Sequence, residues 1–108
     1  MQVINLTEHT ITDLLTGTVY EPSGKLFRTT TISKPQSGYG DIPVNMYEPV
    51  LYSGTKLPQE LPDTIYIVSN MALNAIPKNR KDFIAPGPVT KDKKTRLPIG
   101  CIGFQINN

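Results

Sequence analysis

Ser69 and Asn70 stand where a strand would hand over to a helix, with Lys78, Arg80 and Lys81 following beyond it, and that order of residue types suits an anion. Thr64 to Val68 is a run of β-branched and aromatic residues. Ser69 is a favoured helix N-cap, and Met71, Ala72, Ala75 and Ile76 fall on one helical face before Pro77 stops it. The backbone N–H groups at Ser69 and Asn70, with the positive end of the helix dipole, would then face whatever lies beyond the strand. Arg28 and Arg80 are the residues expected to hold the anionic groups. A guanidinium stays charged and offers a planar fork that matches phosphate. Arg80 carries a competing expectation, because Asp82 two residues on is an obvious ion-pair partner. Phe83 offers a surface on which a base could stack.

The other reactive types are sparse. His9 is the only histidine, and with Glu8 and Asp13 as neighbours it makes a poor metal set, so no metal is expected. As a general base it would need an orienting acceptor and a nucleophile, which Ser69 or Cys101 supplies only if the fold brings them together; otherwise it hydrogen-bonds a neighbouring turn. Cys101 lies in Gly100-Cys101-Ile102-Gly103, where small neighbours favour close packing, and it reads as a small core residue. One cysteine excludes an intramolecular disulfide. Ser23-Gly24 and Pro86-Gly87 lack the spacing of a phosphate loop or dinucleotide fingerprint. No catalytic residue is assigned and no cofactor is expected.

The elements that must position these groups belong to a short chain. With 108 residues, one domain spanning 1–108 is expected, burying roughly 65% of the surface its unfolded chain exposes. Ten prolines, about twice the usual share, make it loop-rich. Val3–Leu6, Thr10–Leu14 and Thr18–Tyr20 read as a β-meander, and Lys25–Ser33 as a strand that sets Arg28 beside Leu26 and Ile32. Pro35–Asp41 reads as a loop unable to hold a ladder, and Ile42–Tyr52 as one interrupted strand or two short ones at a sheet edge. Asp82–Ala85 is a further short strand, Lys91–Arg96 a basic hairpin tip, and Pro98–Phe104 the closing strand. The expected class is α+β: a mainly antiparallel sheet of short strands with one short helix near residues 69–76. Prolines 43, 49, 58 and 62 beside Tyr47, Val50, Leu51 and Tyr52 suggest an edge used for self-association into a homo-oligomer.

Charge narrows the partners. The formal net charge is +2, but residues 1–54 hold three Lys/Arg against five Asp/Glu while residues 55–108 hold eight against four. The C-terminal surplus favours an anionic partner. Long nucleic acid is disfavoured, since no recognition helix or RNA-binding signature is present and the first 24 positions lack basic residues. No apolar run approaches the ~18 residues of a membrane span, and the start lacks a signal-peptide pattern, so a cytoplasmic location is expected.

At Asn5-Leu6-Thr7-x-His9, Pro22-Ser23-Gly24, Arg28, Tyr66-Ile67-Val68-Ser69, Arg80-x-Asp82, Pro86-Gly87 and Gly100-Cys101 the chain resembles a group of small uncharacterised phage-borne and bacterial proteins. Members of that group commonly carry proline between the threonine and the histidine, where this chain has Glu8. The resemblance implies a phage or prophage origin, a bacterial host cytosol, and polar positions suited to one shared pocket. The resulting ligand-binding set is His9, Ser23, Arg28, Ser69, Asn70, Arg80, Lys81 and Phe83. The leading expectation is a binder of a small phosphorylated or nucleotide-like ligand, an anti-defence protein sequestering a nucleotide immune signal by analogy with other phage proteins. Two alternatives stand beside it: a small nucleotide-processing enzyme using His9 with Ser69 or Cys101, and a protein-binding inhibitor of a host factor whose basic hairpin covers an acidic surface.

Overall fold

The computed structural model describes residues 1–27, 29–51 and 56–106, so Arg28 and the Tyr52 end of one expected strand lie outside the described residues. The run of β-branched residues after Asp63 forms the centre of the main sheet. Strands β1 (Gln2–Asn5), β6 (Thr64–Ile67), β7 (Phe83–Pro86) and β10 (Phe104–Ile106) lie side by side in that order, with β1, β6 and β7 parallel and β10 antiparallel to β7. Helix α1 (Asn70–Asn74) joins β6 to β7, and a helix between two strands returns the chain so that the second runs the same way as the first. The fold is strand-rich with one short helix, as expected. Its main sheet is mixed rather than mainly antiparallel, and the antiparallel pairing is concentrated in three separate two-stranded units.

Those units are hairpins inserted around the sheet. They are β2 (Ile11–Thr12) with β3 (Val19–Tyr20), β4 (Thr29–Tyr39) with β5 (Ile42–Leu51), and β8 (Val89–Lys91) with β9 (Pro98–Cys101). The expected meander is half right: β2 pairs with β3, but β1 pairs with β6, some sixty residues away in sequence. Pro35–Tyr39, expected in a loop, belongs to β4. The turn sits instead at Gly40-Asp41, where Gly40 adopts φ +63°, the left-handed region glycine enters without strain.

Side chains alternate across each strand, so Ile4, Tyr66 and Phe83, which are direct partners across β1, β6 and β7, share one face. On that face Leu6, Tyr66, Val68, Phe83 and Ala85 pack against Ala72, Leu73 and Ile76 of the helical segment. Tyr66 and Phe83 stack at 5.3 Å between ring centroids. The Ser69 side chain accepts a hydrogen bond from the Ala72 N–H at 3.1 Å, which caps the helix as its sequence position foretells. The helix is shorter than the 69–76 segment; Ala75 and Ile76 continue it with tighter bonds to the Ala72 and Leu73 carbonyls ahead of Pro77.

Two hairpins use the same loop. Asp13 and Asp92 each accept from the backbone N–H two residues on (Leu15 and Lys94), and each receives a backbone bond from the residue four on (Gly17 and Arg96). The fifth loop position has positive φ in both, 78° at Gly17 and 64° at Arg96. The first loop is buried at Asp13, which also accepts from Gly103 N–H, while the second stands in solvent.

The radius of gyration is 16.4 Å, against about 13 Å for a compact domain of this length. The β4–β5 strands pair with each other and join no larger sheet among the described residues. No helix among the described residues is long and apolar enough to cross a membrane.

Candidate functional site

The sheet has two chemically distinct ends. At its amino end, Arg80 precedes β7. Its Nε donates to Asp82 Oδ1 at 3.0 Å, and its Nη2 donates to Asp82 Oδ2 at 2.8 Å and to the Pro58 carbonyl at 2.8 Å. Glu60 adds a longer contact at 3.5 Å, and the guanidinium carbon lies 5.0 Å from the centre of the Phe83 ring. The hydrogen bonds that Arg80 donates to Asp82 push its pKa up against the opposing effect of burial. This is the structural pairing that competed with the anion-binding expectation, and the fork of the guanidinium is already committed to protein oxygens. Phe83 is 1% exposed, so its ring is a core surface beneath Arg80 and not a platform open to a ligand. The Tyr66 hydroxyl donates to the Gln59 carbonyl at 2.8 Å, so Arg80 and Tyr66 together pin the 57–61 connector.

At the carboxyl end, the organising residue is Asn5, a buried amide at the tip of β1. Its Nδ2 donates to the carbonyls of His9 at 2.8 Å and Tyr20 at 3.0 Å, and its Oδ1 accepts from the Thr7 N–H and hydroxyl. The Asn-Leu-Thr-x-His spacing is thus a folded loop in which the asparagine satisfies backbone groups that would otherwise be orphaned. The loop carries Thr7, Glu8 and His9 to a small pocket of about 240 Å³ shared with Ser69, Leu26 and Phe27. Ser69 reaches it because β6 ends beside β1, and in parallel sheets the carboxyl ends of strands are where ligands commonly sit. Asn70, also at this end, donates to the Pro86 carbonyl and accepts from Gln105.

Leu26 and Phe27 form a shared wall between this pocket and a larger cleft of about 620 Å³. The cleft runs along the face of β1 carrying Gln2, Ile4 and Leu6, between the 23–27 segment and the 56–61 connector. Its floor is apolar, with Tyr66, Leu57 and Phe27 beside Ile4 and Leu6, and its rim holds Ser23, Lys25 and Lys56. Backbone bonds from Ser23 N–H to the Asn5 carbonyl and from Phe27 N–H to the Leu6 carbonyl fasten the 23–27 wall to the end of β1.

The residues expected to form one site are therefore divided. His9 and Ser69 meet in the small pocket, and Ser23 lines the adjoining cleft. Arg80 stands at the opposite end of the sheet from Ser69, because β6 and β7 run parallel and Arg80 precedes one while Ser69 follows the other, and Phe83, the partner of Tyr66, is buried between them. Lys81 is exposed beside Arg80. Cys101 is 2% exposed and lines a separate groove; burial, with the Asp13 carboxylate, pushes its thiol pKa up, which disfavours the thiolate a nucleophile needs. The sequence reading missed Lys25 and Lys56. Lys25 opens the segment read as the Lys25–Ser33 strand, although β4 begins only at Thr29, and Lys56 falls in the proline-rich connector; the only local signal is that Lys25 follows the Pro22-Ser23-Gly24 turn. No protein-family model, curated protein or solved structure matches the chain.

Proposed function

We propose that this protein binds a small phosphorylated, nucleotide-like ligand in the cleft along β1 and holds it unchanged. One observation carries the reading: a cavity of about 620 Å³ with an apolar floor and Ser23, Lys25 and Lys56 on its rim. That volume lies within the range of small-molecule sites, and the combination of apolar floor and few polar groups is what such sites use. Charge decides which hollow takes the phosphate. The small pocket contains Glu8, whereas the cleft lining includes two lysines and no carboxylate. The half-buried ring of Phe27 suits a base or sugar, and an ammonium on the rim suits a phosphate. A protein that binds such a molecule without altering it acts by withdrawing it. For a chain resembling phage-borne proteins, the molecule in view is a nucleotide-derived defence signal, sequestered in an oligomer.

A thermal-shift screen with nucleoside monophosphates, diphosphates and cyclic dinucleotides tests the reading. At least one class should raise the melting temperature in the wild type and do so far less in Lys25→Ala and Lys56→Ala. Equal shifts in all three proteins would place the phosphate elsewhere.

A second reading is favoured by one observation, the convergence of His9 and Ser69 on the small pocket. Those two groups are the base and hydroxyl that an enzyme acting on the same ligand would use. Conversion of a nucleotide by the wild type, lost in His9→Ala, is the result that would select it.

A further inference from the structure

The prolines of the β4–β5 ribbon reveal which of its edges is open. A residue whose N–H is missing cannot sit in a pair that exchanges two backbone hydrogen bonds, so Pro35↔Asn45 and Thr31↔Pro49 must both be non-hydrogen-bonded pairs. The register between Thr29 and Gln36 is unbroken, so the pairs alternate, and Thr30, Ile32 and Lys34 make the inward bonds. The backbone groups of Thr29, Thr31 and Ser33 therefore point outward, away from β5. The outer edge of β5 is interrupted, because Pro49 removes the donor between Tyr47 and Leu51, and α1 packs beside that strand. The outer edge of β4 from Thr29 to Ser33 has no proline, no charged residue and no strand beside it among the described residues.

We infer that Thr29–Ser33 pairs with the same segment of a second copy of this chain, antiparallel about a two-fold axis, to give a four-stranded sheet ordered β5–β4–β4–β5. Three observations select a second copy as the occupant. A two-stranded ribbon is marginally stable in water without a third strand or a packed helix; α1 packs beside β5, and no strand pairs with the other edge of β4 among the described residues. An antiparallel edge is self-complementary, so one symmetric contact satisfies the outward donors and acceptors of both chains at once. Both faces of the ribbon also keep apolar side chains exposed: Ile32 is 40% and Tyr47 67% exposed, and they belong to adjacent pairs that point to opposite faces. Elsewhere the ribbon's edge is blunted by proline, as proteins commonly protect edges; the uncharged Thr-Thr-Thr-Ile-Ser stretch is left unguarded. This shifts the self-association edge expected at residues 42–52 to the neighbouring strand, and it does not depend on the ligand reading.

Hydrogen exchange on the wild type tests it without any mutation. At tens of micromolar, light scattering should give the mass of a dimer. The amides of Thr29, Thr31 and Ser33 should then exchange about tenfold or more slowly than in a dilute, monomeric sample, while Thr30 and Ile32 are protected in both. Ser33→Pro removes only an outward donor, as Pro35 already does two residues on, and Thr31→Lys places a charge on the edge; each should give a folded monomer. A monomer mass for the wild type would overturn the proposal. So would a dimer whose outward β4 amides exchange freely, one protected instead at Asn45 and Tyr47, or one that survives both substitutions.

Discussion

The amino and carboxyl ends of the parallel strands are built from similar material and arrive at opposite results. At the amino end, Arg80 meets Asp82, Pro58 and the Phe83 ring, and Tyr66 meets Gln59, so both groups are spent on other parts of the chain. At the carboxyl end, one buried amide, Asn5, satisfies the backbone of the 7–9 loop together with the Thr7 hydroxyl. His9 and the helix-capping Ser69 line a pocket there. The lesson is that the most strongly charged cluster is closed on itself. Arginine with a carboxylate two residues away closes on it, and what remains available for a ligand are isolated lysines over apolar ground.

Asp82→Ala should produce the largest effect. It strips Arg80, whose side chain is 17% exposed, of its bidentate partner, and should cost about 3 kcal/mol, at the lower end of the range for breaking a buried pair. Urea denaturation measures this; affinity for the ligand should hold. A large loss of affinity with unchanged stability would make Arg80 a ligand group and erase the contrast between the two ends. Asn5→Ala should cost about 2 kcal/mol, because it leaves the Tyr20 carbonyl and Thr7 N–H short of a partner, and should weaken binding as well by loosening the pocket loop. Lys25→Ala and Lys56→Ala should each reduce affinity by ~1.5 kcal/mol, the value of a hydrogen bond to a charged group, with melting temperatures little changed. The smallest effect concerns Cys101. Its thiol is held neutral in the fold, whereas the unfolded thiol ionises near pH 8.5. Its contribution to stability is thus fully present below that pH and is lost as pH rises toward the higher folded pKa. A Cys101→Ala variant should flatten this alkaline decline, and native protein at pH 8 should resist alkylation that denatured protein undergoes.

What the sequence made legible was local. The strand, the Ser69 cap and the helix stop at Pro77 form a contiguous unit, and each is set by residues within a turn of one another. Arg80 and Asp82 were visible as a pair for the same reason, and the basic tip expected at Lys91–Arg96 falls, but for Lys91 at the end of β8, in the loop between β8 and β9. The parallel pairing of β1 with β6 was not legible, since strand direction depends on a partner some sixty residues away. Prolines misdirected the reading of β4: in a two-stranded ribbon an outward proline costs no ladder bond, so Pro35 sits in a strand it would break at the centre of a sheet. The cleft was beyond reach because its walls come from β1, β6, the 23–27 segment and the 56–61 connector, whose meeting no spacing encodes.

The most direct test of the central claim is mass spectrometry of small molecules released when purified, phage-infected-cell-exposed protein is heat-denatured, compared with the same preparation of a Lys25→Ala, Lys56→Ala double variant. The expected result is a phosphorylated nucleotide species recovered chemically intact from the wild type and strongly depleted from the double variant. Recovery of the same species in equal amount from both proteins, or of a converted product in place of the nucleotide supplied, would contradict it.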